Sequence, residues 1–383
     1  MPRLCAQTIP ALEINLMGQS DNLKKSSNKW TYFGILFAVL GVVLFVYFVE
    51  KSGLHEIAGG IKRLGAGFVL VLFIAGIRFA VRALAWTRCF EAPYKLRFRD
   101  AFKTFVVSDA VGNIAGPLNI IVTEPAKAAF VRDRVPIMPT VSAIAIELLF
   151  YTLSVALLIF TGALALLLNF SLPKILRIAS IGALLAIAAF LPLAYLAVRR
   201  QIKFLSGALN ALERRGVARK WVAKMQPRIS AIEDRIYTFY AGNSSRFLSI
   251  LLLECCFHLA GVTEIYVVLL FISDTPPTFL AAFALEWINR LVNVVFKPVP
   301  LRIGVDEAVT GFLANALHFG TGVGVTLAII RKARVISWAA LGILFLVRRG
   351  LTLRKFTEEA EQVSAAAEMS NAHTSSNPAT SES

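Results

Sequence analysis

The chain has 383 residues, 57% of them hydrophobic and 17% charged, and its mean hydropathy is +0.67. With runs near twenty apolar residues, that profile excludes an ordinary soluble globular chain and defines an all-α, polytopic helical membrane protein. The net charge of +16 is not a nucleic-acid footprint. The basic residues cluster at the ends of apolar segments, as in cytoplasmic loops that meet anionic lipid.

Residues 1–29 form a mixed leader ending in Lys24, Lys25 and Lys29. No cleavage-site pattern follows, so residues 30–49 read as an uncleaved first span. A polar loop is expected through Lys62 and Arg63. Residues 68–86 form the second span and carry Arg78 and Arg82. Arg88, Lys95, Arg97 and Arg99 mark a cytoplasmic turn, and residues 101–121 enter the membrane with Asp109 and Asn113. Residues 140–168 form a long apolar helix holding Glu147, and residues 178–198 are the most lipid-like span. Residues 199–246 carry eleven Lys and Arg against three acids. They predict two amphipathic helices on the cytoplasmic face, broken near Gly216 and Pro227. Residues 247–272 hold Glu254, His258 and Glu264, and residues 279–296 hold Glu286, Asn289 and Arg290. A second broken element is expected at 304–319, and the last span at 323–347, with Arg331, Lys332 and Arg334 near its start. Residues 355–383 predict a disordered tail. The sum is about eight spans within a membrane domain at 30–350. The four cysteines, Cys5, Cys89, Cys255 and Cys256, have no metal spacing and read as buried small apolar residues.

The rest of the chain is organised around residues 113–134, NIAGPLNIIVTEPAKAAFVRDR. Hydrocarbon makes unpaired backbone groups costly, so broken backbone at membrane depth survives only inside protein or beside water. Gly116-Pro117 interrupts a helix, and Pro125 suits the first turn of the next. The expected course is a descent, a break near Pro117, and a short polar helix starting near Thr123. Thr123 would cap that helix, and Glu124 would sit in its positive first turn. With Lys127 and Arg132 following, this is either an anion site or a capping carboxylate with solvated cations after it.

The design returns at residues 299–308, VPLRIGVDEA, against GPLNIIVTEPA at 116–126. In both, Pro-Leu precedes a glutamate seven residues beyond the proline, at Glu124 and Glu307. VSAIAIE at 141–147 matches VTLAIIR at 325–331, which sets Arg331 opposite Glu147, and Asn113 has a rough counterpart in Asn293. Two internal repeats, each with a broken or re-entrant helix, point to a transport site between them.

An ionised side chain at bilayer depth costs at least about 2.5–3.5 kcal/mol, so the charges within apolar segments must face a polar interior, pair, or lie near an interface. Arg78 and Arg82, four apart, share a helix face. They suit either a lipid phosphate or an internal salt bridge to Asp109, Glu124 or Glu147. Glu286 and Arg290, also four apart, read as a structural pair, and His258 as a packed, hydrogen-bonded histidine. The candidate substrate-binding residues are Arg78, Arg82, Asn113, Glu124, Lys127, Arg132, Glu147, Glu307 and Arg331; no catalytic, cofactor or metal residue is assigned.

The pattern Asn113, Pro117, Glu124-Pro-Ala-Lys-Ala and Arg132, then Glu147, then Pro300 and Gly304-Val-Asp-Glu-Ala resembles one family. It is the transmembrane region of lysylphosphatidylglycerol synthase, or flippase-like domain family, and the resemblance covers roughly residues 30–350. The chain departs from it at Thr123, where glycine is common, at Lys127, where arginine is common, and at Leu301-Arg302 between the second proline and glycine. The resemblance implies a domain that moves lipid head groups between leaflets, without the soluble aminoacyltransferase domain of the two-part synthases. The expected function is therefore a lipid or lipid-linked head-group translocase in a cell inner or plasma membrane. The alternative is an accessory subunit or enzyme in lipid-linked glycan, hopanoid or aminoacyl-lipid synthesis. Expected partners are membrane lipids, anionic or head-group-modified, and a cytoplasmic glycosyltransferase or lipid-modifying enzyme. No nucleic acid and no cofactor is expected, and with no P-loop the energy would come from a gradient or downhill movement.

Overall fold

A computed structural model describes residues 54–115, 119–170, 173–199, 244–296 and 302–349, with residues 50, 207 and 230 besides. The leader, the span expected at 30–49, nearly all of the basic segment 199–246 and the tail at 355–383 lie outside the described residues. So do Pro117, Pro300 and Leu301. The described residues form ten helices and no strand: α1 Leu54–Leu64, α2 Gly67–Arg88, α3 Phe98–Ala115, α4 Asn119–Val131, α5 Ile137–Asn169, α6 Lys174–Arg199, α7 Ser244–Ile272, α8 Phe279–Val295, α9 Val305–Ala316 and α10 Thr321–Arg348.

Among the described residues, four stretches are long and apolar enough to cross a membrane: Gly67–Arg88, Ile137–Asn169, Lys174–Leu193 and Arg246–Ile272. The α6 window is only 11% buried, against 50% for the α7 window. On α6, Ile175, Ile178, Leu185 and Leu193 are all exposed. A helix apolar all round needs lipid or protein as its neighbour, and α6 has protein mainly on the α5 side. The centre belongs to α7, which packs against α1, α2, α5, α8 and α10.

Two apolar clusters divide the bundle. One gathers Trp86, Phe105, Ala126, Ile146 and Ile250; the other gathers Val71, Leu166, Val262, Trp287, Leu313 and Leu327. On α2, Arg78 and Arg82 fall between the positions that feed the two clusters, and on α7 Glu254 and His258 do. A polar layer is thereby laid between two apolar ones. Small residues bring helices close, as is common in membrane bundles. A Cβ on Gly324 would stand 2.5 Å from the Thr310 carbonyl oxygen, and one on Gly342 2.6 Å from that of Val106.

Three local expectations are corrected. The polar loop expected before Lys62 is the helix α1. Its Ile57 and Leu64 are buried, seven apart on one face, and Gly60 lets it approach Thr326, which a Cβ would meet at 2.8 Å. The short helix expected to start near Thr123 starts at Asn119, and Pro125 lies inside it. The proline removes one backbone donor but fixes a helical φ, and the helix runs through it. Glu124 is therefore mid-helix rather than in a first turn, and it pairs with Lys127 one turn on at 2.9 Å. Of the cysteines, Cys89 is buried, but Cys255 and Cys256 are exposed, turned from the bundle on a helix whose other side is packed.

Candidate functional site

A cavity of about 250 Å³ lies within the polar layer, lined from α2, α3, α4, α5, α7, α8, α9 and α10. Eight cations reach it: Arg78, Arg82, Lys127, Arg290, Arg302, Arg331, Lys332 and Arg334. Three acids, Asp109, Glu124 and Asp306, share the wall with Asn113, Asn289 and Asn293.

Behind the wall stand carboxylates that hold the cations in place. Glu264 accepts from Arg78 at 2.8 Å and lies 3.1 Å from Arg334. Glu286 accepts from Arg290 at 2.6 and 2.8 Å and from Asn289 at 3.1 Å, with Arg78 at 3.8 Å. Room for that cluster comes from Gly261, whose Cβ would meet Glu286 Oε1 at 2.5 Å. Glu147 receives Arg82 and, at 3.3 Å, Lys127. Glu307 takes Lys332 at 2.5 Å and the Gly304 N–H at 2.7 Å, closing the start of α9. Gly304 has φ +82°, a conformation glycine adopts without Cβ strain. Buried charges need this double satisfaction, by an opposite charge and by hydrogen bonds.

Aromatic rings form another part of the wall. The Phe257 ring lies 4.8 Å from the Arg78 guanidinium, 4.9 Å from that of Arg290 and 5.4 Å from that of Arg82. Arg82 also lies 4.2 Å from the Tyr151 ring, and Lys127 4.4 Å from that of Phe105. Ring faces attract cations without neutralising them, so the guanidiniums are positioned while their charge stays available. Arg331 keeps open donors. It is 5% exposed and gives Nη2 to Thr310 Oγ1 at 2.7 Å, while Nε and Nη1 have no hydrogen-bond partner among the described residues. Such a wall can hold an anionic group by charge-assisted, forked hydrogen bonds. Among the described residues, no group of three His, Cys, Asp or Glu side chains is placed to hold a metal ion.

Of the nine residues singled out in the sequence, Arg78, Arg82, Asn113, Glu124, Lys127 and Arg331 line the cavity. Glu147 and Glu307 are fully buried behind it as partners of its cations. Arg132 lies elsewhere, in the turn after α4, with 42% of its side chain exposed and Asp133 at 3.7 Å. Arg78 pairs with Glu264 and Glu286 instead of the partners considered for it, whereas Arg82 does find Glu147. His258 packs beside Tyr151 and shares a 3.0 Å hydrogen bond with Ser154. The structure adds Arg290, Arg302, Lys332, Arg334 and Phe257 to the wall. Arg290, Lys332 and Arg334 could have been found as charges within or at the start of apolar spans; Arg302, in the break before α9, and Phe257, in an apolar run, have no such signal.

A helical bundle with exposed apolar faces and charges turned onto a cavity defines a class, the integral membrane proteins with a polar interior. Residues 33–344 match the family described as lysylphosphatidylglycerol synthase TM region. The chain belongs to that family, which gives it a lipid-related function in a membrane. No curated protein and no solved structure matches it.

Proposed function

We propose that the protein translocates lipids. The cavity takes in the head group of an anionic or head-group-modified lipid while the acyl tails remain in the bilayer. The observation that carries this reading is the convergence of eight Lys and Arg side chains on one cavity inside an apolar bundle. Structural pairing alone accounts for a cation and carboxylate each, but not for directing the cations to the same space. Arg331, with two open donors, is the natural first contact for a phosphate.

The two broken elements support a transport reading. In α3, α4 and α5 the lengths are 18, 13 and 33 residues. In α8, α9 and α10 they are 17, 12 and 28. We read them as two copies of one unit with the head-group site between them, the arrangement that lets one copy move against the other. The driving energy is a gradient or the lipid's own concentration difference, and a cytoplasmic lipid-modifying enzyme is the partner that would supply the cargo.

The test uses the purified protein in liposomes carrying fluorescent lipids with anionic, zwitterionic, aminoacylated or glycosylated head groups, with dithionite reporting exposure. Wild type is expected to expose inner-leaflet lipid for one head-group class, and Arg331→Ala to lose most of that flux while remaining folded. Equal flux in the variant, or none for any lipid by folded wild type, would count against the reading. In the second case, co-purification of a cytoplasmic enzyme would favour an accessory role.

A further inference from the structure

Glu254 belongs to the polar layer but not to the cavity wall. Its side chain is fully buried, and neither carboxyl oxygen has a hydrogen-bond partner among the described residues. In this it stands apart from Glu147, Glu264, Glu286 and Glu307, each of which is held by one or more cations. A buried ionised carboxylate without a partner is strongly disfavoured, whereas the neutral acid needs far less from its surroundings.

The charges whose fields act on Glu254 come from several helices: Arg82 of α2 foremost, then Glu147 of α5, Lys127 of α4 and Arg290 of α8. Cys89, just after α2, and Cys255, its chain neighbour, are the thiols that feel it, and His258 lies one turn away on the same helix. The other helices packed on α7, α1 and α10, contribute none of these leading charges. Arg82 reaches α7 at Phe257, 5.4 Å from its ring and one turn from Glu254, yet it is bonded to Glu147 and lines the cavity.

The charge count of the layer gives this arrangement a meaning. Eight cations line the cavity. Asp109, Glu124, Glu147, Glu264, Glu286, Asp306 and Glu307 make seven carboxylates, and Glu254 is the eighth. With Glu254 ionised the layer is neutral. With Glu254 protonated and the other seven ionised, it carries one surplus positive charge, which matches one phosphodiester.

We infer that Glu254 is a proton-binding site linked to anion binding in the cavity. The protonated acid leaves Arg82 to the head group, and the ionised carboxylate competes with the head group for that guanidinium. One proton goes onto a Glu254 oxygen as one monoanion settles on the cations, and the proton leaves when the anion does, so the layer stays balanced in both states. The identity of the anion as a lipid head group rests on the translocase reading above; the proton site does not.

The test uses the purified full chain and short-chain phosphatidylglycerol as the probe for a monoanionic phosphodiester. Infrared spectra of the probe-bound protein near neutral pH are expected to contain a protonated-carboxyl stretch that Glu254→Gln removes. No such band in wild type, or an unchanged band in the variant, overturns the proton site. From neutral to alkaline pH, binding of the probe is expected to weaken by up to about tenfold per pH unit, the slope for one proton taken up per anion bound. Glu254→Gln is expected to bind tightly with that slope abolished. A flat wild-type profile, or a variant that keeps the wild-type slope, overturns the linkage. Should the variant fail to fold, the infrared titration and the binding slope of wild type decide the matter unaided. Dithionite flux measured in parallel separates the two readings. A binding slope without flux of any lipid keeps the linked proton site and removes the translocase, whereas flux with no slope keeps the translocase and removes the linkage.

Discussion

The α3–α4–α5 segment and the α8–α9–α10 segment are built alike and charged in opposite ways. In each, a short helix is tied to the long helix after it by a buried ion pair. In the first, the short helix supplies the cation: Lys127, 2% exposed, sits between Glu124 on its own helix and Glu147 on α5. In the second, the short helix supplies the acids: Asp306 and Glu307 of α9 face Lys332 of α10 at 3.7 and 2.5 Å. The difference separates two jobs that charges perform in a membrane interior. The tie between helices needs opposite signs in either order. The cavity needs a surplus of one sign, and both segments contribute cations to it, Lys127 from α4 in one and Arg290, Arg331, Lys332 and Arg334 from α8 and α10 in the other.

The inversion also distributes risk unequally, which mutation can expose. Glu147 alone serves two buried cations, Arg82 and Lys127. Glu147→Ala removes the carboxylate bonded to Arg82 and leaves Lys127 with only the partly exposed Glu124. Breaking a buried pair costs about 3–5 kcal/mol, the largest effect expected in the molecule. It should appear as a marked fall in thermal midpoint in detergent, partly reversed by adding Lys127→Met. A midpoint close to wild type would mean that water or lipid already compensates these cations, and the contrast between the two segments would fail.

On the other side the load is shared. Glu307→Gln keeps an oxygen for the Gly304 N–H and leaves Asp306 for Lys332. Its cost should be about 1–3 kcal/mol, the range for weakening a hydrogen bond to a charged group. The same thermal measurement compares the two variants directly, and an effect of Glu307→Gln as large as that of Glu147→Ala would show that Asp306 shares nothing.

How much of this was legible beforehand follows from what sequence periodicity can carry. The spans expected at 68–86, 140–168 and 247–272 fall within three residues of α2, α5 and α7 at either end, because apolar runs stop where charge begins. Glu286 and Arg290 could be paired from spacing alone, since four residues make one turn. The partner of Arg78 could not. It depends on α7 packing against α2, and the carboxylates considered for it lay on other helices. Pro125 misled because proline favours a first turn, while the structure continues α4 six residues upstream of it. The α1 helix was hidden by its two glycines and its charges, since only the packed neighbour Thr326 gives Gly60 its purpose. Phe257 shows the limit most plainly. Its contact with three guanidiniums is a property of the assembled layer and has no trace in the apolar run around it.

The smallest expected effect concerns the backbone of the second break. Arg302 has φ +49°, in the left-handed region that disfavours side chains by about 1–2 kcal/mol. Its pair with Asp306 is at 3.6 Å and 29% of its side chain is exposed, so that pair stabilises little. Arg302→Gly removes the steric cost and adds about 0.5–1 kcal/mol of chain entropy to be lost on folding. The net change in stability should therefore be within about 1 kcal/mol, of either sign. Flux of anionic lipid should still fall, because a cavity cation has gone. Stability and transport would then move separately at this position. A clear destabilisation by Arg302→Gly would make Arg302 a tie like Lys127, and its strained backbone would then serve the fold and not the cavity.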